Sequence, residues 1–188
     1  MQFTTVIAVA VATYLPSVLA ANAIVVNNCT FPAYVQSVTN GQPAGPVITL
    51  APKGSAYSEA FKTGGTAIKV GWHPQLSGPL TFEYTPSNGL VYYDISNNAG
   101  NPFSGWVGSA VKYVLFSDSS RLNRYHNTLV TSDKTCTGVD CAPNNASCYS
   151  SGSSLKIHAC QSATDLTLKV CAPWKLAGKR GELHGVTW

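Results

Sequence analysis

Six cysteines, all downstream of an apolar leader, constrain what this 188-residue chain can fold into more than any other feature. An even count in a secreted chain argues for three disulfides, and six cysteines allow fifteen pairings. The leader supplies the secretory context. Residues 6–12 form a short apolar run, broken by Thr13, Tyr14 and Pro16, and Val18 and Ala20 stand where a signal peptidase takes small residues. No Lys or Arg precedes the run, and it is too short to span a bilayer. Residues 1–20 therefore read as a signal peptide, with maturation expected near Ala21. No later segment is long and apolar enough to cross a membrane, and no membrane association is expected.

The chain beyond the leader suits one domain with a single core. Only 11% of residues are charged, Gly and Pro number 16 and 11, and methionine occurs only as the initiator. Helix-forming runs are nearly absent, so the composition points to short strands joined by tight turns. Candidate strands cover 23–28, 33–38, 47–50, 56–61, 66–71, 80–85, 90–95, 111–116, 154–159 and 166–171. Residues 86–89, Pro-Ser-Asn-Gly, give a strong hairpin signal. Residues 119–127 read either as one turn of helix capped by Ser119 or as a loop, and 136–148 as a compact cysteine-rich loop. Strands at such regular short spacing predict an all-β sandwich or barrel. Residues 174–188 show no alternation and are expected to be an unstructured basic tail. Within it, Lys179 and Arg180 follow Gly178, as in the dibasic sites that secretory convertases cut.

Several function classes fall away. The formal charge of +4 is mild and scattered, without the basic stripe that nucleic-acid binding needs. His73, His126, His158 and His184 share no ligand spacing, so neither a metal site nor a cofactor is expected. There is no Gly-x-Ser-x-Gly elbow, and paired cysteines cannot act as nucleophiles. Two glycosylation sequons begin at Asn28 and Asn145, and Cys29 inside the first makes Asn28 the poorer acceptor.

Residues 90–105 carry the best functional signal. Val91, Tyr92, Tyr93 and Ile95 favour a strand, and Asp94 interrupts them with a carboxylate that must face water or a partner. Residues 97–105 then open into a polar loop with Phe103 and Trp106 close behind, a rim suited to a carbohydrate cleft. Glu83 lies on the strand before the hairpin, where it could neighbour Asp94 across the ladder. Two such carboxylates would push one pKa up, as acid catalysis requires, although strand carboxylates equally bind a Lys or face water. Trp72 and Trp106, beside Gly and Pro in loops, form the expected exposed aromatic pair, on whose faces sugar rings stack.

Several segments together resemble one family. Residues 23–35, Ala-Ile-Val-Val-Asn-Asn-Cys-Thr-Phe-Pro-Ala-Tyr-Val, resemble the opening strand pair of thaumatin-like proteins. Residues 92–96, Tyr-Tyr-Asp-Ile-Ser, resemble their central strand. Residues 136–141, Cys-Thr-Gly-Val-Asp-Cys, followed by Cys148, resemble their cysteine spacing, and 165–171 their last strand. The chain is most similar to the small fungal branch, the yeast-phase-specific and antigenic secreted proteins, where a Gly-Asn-Pro-Phe loop likewise follows Tyr-Asp-Ile-Ser. The similarity covers residues 21–173.

This resemblance implies a two-sheet β-sandwich stapled by three disulfides and lacking most of the second, disulfide-rich domain of larger members. It also implies the pairs Cys29–Cys171, Cys136–Cys160 and Cys141–Cys148. Large plant members carry a cleft of an arginine, a glutamate and three aspartates. Glu83 matches the glutamate and Asp94 the first aspartate. The second aspartate falls at Ala99 and is missing, the arginine falls near Ile68 or Lys69, and the third aspartate belongs to the absent subdomain. The expectation is a secreted, non-catalytic monomer of the fungal cell wall or host interface. It would bind β-glucan or a related polysaccharide through Glu83, Asp94, Trp72, Phe103 and Trp106. The alternatives are a weak endo-β-1,3-glucanase using Glu83 and Asp94, and a structural or antigenic surface protein without a ligand.

Overall fold

The computed structural model describes residues 21–104, 125–142, 145–152 and 154–173. In chain order the strands are β1 (Asn22–Asn27), β2 (Ala33–Thr39), β3 (Ile48–Leu50), β4 (Ser55–Ala60), β5 (Thr66–Gly71) and β6 (Leu80–Ser87), then β7 (Leu90–Ser96), β8 (Tyr125–Thr131), β9 (Val139–Cys141), β10 (His158–Gln161) and β11 (Leu166–Pro173). A single 3-10 turn, Ala146–Cys148, is the only helical element among the described residues. One sheet has five strands in the order β4-β1-β11-β8-β9, the other six in the order β10-β7-β6-β5-β2-β3. The period-2 pattern gives each sheet one apolar face, and burying the two together makes the core. Ala23 and Val25, Leu129, and Leu166, Leu168 and Val170 come from the first sheet; Val35, Ile68, Phe82, Tyr84, Tyr93 and Ile95 come from the second.

The chain closes on itself at β1 and β11, the one parallel pair of strands among the described residues. Cys29 and Cys171 join their ends, while Cys136–Cys160 and Cys141–Cys148 tie the loops around β9 and β10. Between the sheets at the β4 edge sits a polar knot. Glu59 accepts from Ser37 Oγ (2.9 Å), Tyr84 Oη (2.9 Å) and Tyr57 Oη (2.8 Å), and pairs with Lys62 Nζ at 2.5 Å. Burial alone would push the Glu59 carboxyl up. The hydrogen bonds from Lys62, Tyr57, Tyr84 and Ser37 outweigh it and hold the group below the usual carboxylate range, and burial with Glu59 alongside raises the Tyr84 phenol to about 12.

Several boundaries differ from the sequence reading. The hairpin turn is not four residues but two: β6 runs on to Ser87, and Asn88 and Gly89 alone turn the chain at φ 52° and 78°. Positive φ at both positions is the type I′ signature that Asn-Gly supports. The last strand does not stop at Cys171. Cys171 adopts φ 53°, the register shifts, and pairing resumes through Pro173 opposite Tyr125. Proline is tolerated there because the ladder to β1 ends at Val170, so β8 is the only neighbour left among the described residues. The final part of the ambiguous 119–127 stretch belongs to β8, whose buried His126 and Asn127 hide the strand from a hydrophobic-pattern reading. β9 lay inside what reads as a cysteine loop, and β10 begins four residues later than expected. The signal peptide (1–20), the candidate strand 111–116, Trp106 and the basic tail (174–188) lie outside the described residues.

Candidate functional site

The two-residue turn fixes the register of β6 against β7. Counting out from Asn88–Gly89, Ser87 opposes Leu90, Thr85 opposes Tyr92, and Glu83 opposes Asp94. Phe82, Tyr84, Val91, Tyr93 and Ile95 are core residues, so alternation sends Thr81, Glu83 and Thr85, with Tyr92, Asp94 and Ser96, to the outer face of the six-stranded sheet. The two acidic candidates are therefore directly opposed side chains on one face, where Cβ atoms lie about 5 Å apart.

Neither carboxylate makes an ion pair with any described residue. Burial pushes the Glu83 carboxyl up, and the charge of Asp94 pushes it further the same way. Asp94 is only 6% exposed, with Ser150 bridged to the end of β7 and β10 paired alongside it. Ser150 N–H donates to Ile95 O (2.8 Å), and Ser150 O accepts from Asn97 N–H (3.1 Å). Burial raises the Asp94 carboxyl, against a smaller lowering by Ser150 and His158. Lys69 is on the same outer face, opposite Thr81 and so one row from Glu83, yet it forms no ion pair with either acid. Beside Glu83 the small side of β5 leaves a concavity of about 320 Å³ lined by Val38, Asn40, Gly65, Ala67, Glu83 and Thr85.

This geometry predicts that Glu83 costs the fold stability. Its folded pKa is raised, so its favourable contribution is complete below the unfolded value, about 4.3, and is lost as pH rises through the folded value. Glu83→Gln should raise stability at pH 7 by about 0.5–1 kcal/mol, the cost of opposed like charges, and by nothing near pH 3.5. Urea midpoints at the two pH values measure this; an equal effect at both would mean that charge is not the cause.

The remaining aromatic candidates scatter. Trp72 is 41% exposed, but it follows the end of β5. It lies five positions beyond Ala67, the partner of Glu83, which is about 16 Å of extended chain. Its indole leans on Phe31, ring centroids 6.4 Å apart. Phe103 offers no stacking face: it is 1% exposed and part of the core. Asn101 Oδ1 accepts from the Phe103 N–H (3.2 Å), and this local turn folds the ring inward, where its apolar area is removed from water. Tyr92 is the aromatic that the sequence reading passed over. It is 40% exposed and shares the outer face with Asp94 two residues on, a position that alternation from Asp94 alone would have given. The polar loop after β7 packs backbone to backbone against the loop before β6. Gly100 has φ 146°, and a Cβ there would collide with the main chain of Gly78. Among the described residues, the one cluster of the right types to hold a metal is Asp133, Cys136 and Cys160, and its sulfurs are already joined to each other.

Comparison with known proteins adds the following. The family model described as Blastomyces yeast-phase-specific protein matches residues 10–112. The antigenic thaumatin-like protein of Arthroderma benhamiae is 29% identical over 184 residues, spanning 91% of this chain and 83% of that protein. The secreted thaumatin-like protein calA of Emericella nidulans is 28% identical over 160 residues, 81% of this chain and 82% of that protein. Among solved structures, the protein elicitor MoHrip2 from Magnaporthe oryzae superimposes with a TM-score of 0.67 at 31% identity, covering 81% of this chain and all of that one. The thaumatin-like xylanase inhibitor TLXI superimposes with a TM-score of 0.52 at 13% identity, with the same coverage, and so is alike in fold alone.

Proposed function

The chain belongs to the Blastomyces yeast-phase-specific protein family, a group of secreted fungal thaumatin-like proteins, and from that premise we propose that it binds β-glucan or a related polysaccharide without cleaving it. The observation that carries this reading is the opposed pair Glu83–Asp94, set on an outer sheet face beside an open concavity and in an ion pair with no described residue. Glycans present rows of hydroxyl donors, and a carboxylate accepting from one contributes about 1.5–3 kcal/mol. Tyr92 adds an exposed ring face two residues from Asp94 on which a pyranose can stack. The relative described as a protein elicitor is in keeping with a place at the host interface.

A pull-down on insoluble β-1,3-glucan tests the reading. The wild-type protein should be retained, and Glu83→Gln/Asp94→Asn should weaken retention about tenfold or more. Retention should also fall on acidification, and sooner than for ordinary carboxylates, because both groups are raised. Wild-type protein that stays in the supernatant, or a double variant bound as tightly as wild type, overturns the reading.

The raised pKa of Glu83 beside Asp94 favours a second reading, a weak endo-β-1,3-glucanase. A spacing near 5 Å suits a retaining mechanism, but the two carboxyls must flank the glycosidic bond. Neighbours on one sheet face approach a ligand from the same side, and for this reason binding is the reading put forward. Release of reducing sugar from laminarin that disappears in Glu83→Gln would reverse that order.

A further inference from the structure

The polar loop after β7 belongs to a second feature, apart from the sheet face. At the end of the sandwich Asn97, Asn101, Asn127, Asn145 and Tyr149 are among the residues around a cavity of about 240 Å³. These amides and the phenol share the wall with apolar groups, Phe103, Ala142 and Ala146 among them. Asn127 Nδ2 donates to Tyr149 Oη (2.9 Å) and Asn101 Oδ1 (3.3 Å), and Asn127 Oδ1 is buried and accepts from no described residue. Asn97 commits its backbone N–H to Ser150 O, while its side chain bonds to no described residue. The chemistry of this wall suits a neutral ligand that both donates and accepts hydrogen bonds.

One residue of that wall is also the first residue of a sequon. Asn145 is exposed, and its Oδ1 accepts from Ser147 N–H (2.9 Å) and Ser147 Oγ (2.7 Å). Its Nδ2 donates to no described residue. The carbonyl oxygen is thus held in place and the nitrogen left available. Because these bonds span only two residues, they need no distant segment and are open to an unfolded chain as well. Asn28 is placed differently. It is half-buried at the end of β1, its N–H is bound to Val170 O (3.1 Å), and the next residue is the buried, disulfide-bonded Cys29.

We propose that Asn145 is N-glycosylated and that the first N-acetylhexosamine of its glycan lies in the adjoining cavity, whose wall carries both amide and apolar groups. In the transfer, Asn145 Nδ2 bonds to the anomeric carbon of a polyprenyl-pyrophosphate-linked oligosaccharide, the donor class of the secretory pathway. The anomeric C–O bond breaks, the polyprenyl pyrophosphate leaves with the electron pair, and Nδ2 gives up one proton. Attachment at a residue of the cavity wall then holds the root sugar beside Asn97, Asn101 and Asn127, where its hydroxyls and acetamide meet amide partners. The sugar acts there as a packed part of the domain, and the rest of the glycan extends into water.

The protein secreted from a glycosylating fungal host tests both halves. Peptide mapping should find a glycan on the tryptic peptide 135–156, absent in Asn145→Gln and in Ser147→Ala and retained in Asn28→Gln. Trimming with an endoglycosidase that leaves one N-acetylglucosamine should keep the melting temperature of the full glycoprotein. Asn145→Gln should melt about 2–4 °C lower. Asn97→Ala should lower the melting temperature of the trimmed glycoprotein and leave that of Asn145→Gln unchanged, since the coupling exists only when the sugar is present. An unmodified 135–156 peptide in the wild-type protein overturns the proposal outright. A trimmed form that melts with Asn145→Gln, or an Asn97→Ala effect equal in both backgrounds, overturns the docking of the root sugar.

Discussion

Replacing Cys29 and Cys171 together by alanine should lower the melting temperature by about 10–20 °C, the largest effect of any cysteine pair. The bond links residues 142 apart in sequence and joins the ends of the parallel pair β1–β11. In the chain-entropy model, closing so long a loop removes about 5 kcal/mol of freedom from the unfolded chain, against about 2.5 kcal/mol for Cys141–Cys148, which lie only 7 apart. A domain of this size is stable by about 5–15 kcal/mol, so the first loss is a large share and the second a modest one. The parallel ladder adds to the contrast. Strands from the two ends of the domain must find each other across the whole chain before any of their bonds form, and the covalent link removes that search. Thermal melts of the two double-alanine variants, both as oxidised proteins, check the prediction. A Cys29/Cys171 variant that melts no lower than the Cys141/Cys148 variant would mean that the ladder and core hold the ends without help.

Asn27→Ala should cost about 2–4 kcal/mol, more than most truncations of a side chain so small. Asn27 is the last residue of β1 and is completely buried. Its Nδ2 lies within hydrogen-bond reach of three main-chain carbonyls, Phe31 O (2.9 Å), Leu50 O (3.1 Å) and Ala51 O (3.1 Å), and its Oδ1 accepts from Cys29 N–H (3.0 Å). One amide thus gathers the turn into β2 and the end of β3 around the Cys29–Cys171 bond. Alanine would remove the amide from the buried Leu50 carbonyl and the buried Cys29 N–H, two groups that water does not readily reach. Asn27→Asp sharpens the test, because a carboxylate supplies acceptors only and would face three carbonyl oxygens. It should be worse than alanine at pH 7, where an unpaired charge would be buried, and should recover toward the alanine value near pH 3 as the acid protonates. Urea unfolding of both variants measures the losses; a cost under about 0.5 kcal/mol for Asn27→Ala would show that the loops close without the amide.

The carboxyl groups divide by what surrounds them. Glu59, paired with Lys62 and bonded by two phenols and a serine, is held low. It therefore stabilises the fold above the unfolded carboxylate pKa, and the contribution is lost as pH falls through its folded value. Glu83 and Asp94, raised by burial and in an ion pair with no described residue, contribute in the opposite direction. An arrangement that costs the fold energy on an open face is where a ligand is expected to compensate, and the same physics that makes Glu83→Gln stabilising makes it weaken glycan binding.

What the sequence by itself determined was local or covalent in kind. Alternation placed strands at 66–71 and 90–95, where β5 and β7 lie. Pro-Ser-Asn-Gly announced a hairpin because only residues tolerant of positive φ can turn a chain in so few steps, and with the hairpin came the adjacency of Glu83 and Asp94. Residue identity also set the chemistry available: the acids Glu83 and Asp94, two sequons and six cysteines. The tertiary structure alone decided which way each of these faces. Phe103 and Tyr92 are both aromatic and both flank polar stretches, yet one is in the core and the other 40% exposed. The difference comes from a turn bonded to Asn101 in one case and from strand parity in the other. β8 could not be read from apolar pattern because the positions it buries include His126 and Asn127, whose burial becomes tolerable only through partners contributed by other segments: Asp140 of β9 for the first, Asn101 and Tyr149 for the second. Asn27 and Glu59 were invisible as structural centres for the same reason. A polar residue reads as surface in a sequence, since burial without partners costs several kcal/mol, and the partners that cancel that cost are brought in from positions 22 to 25 residues away only when the two sheets close.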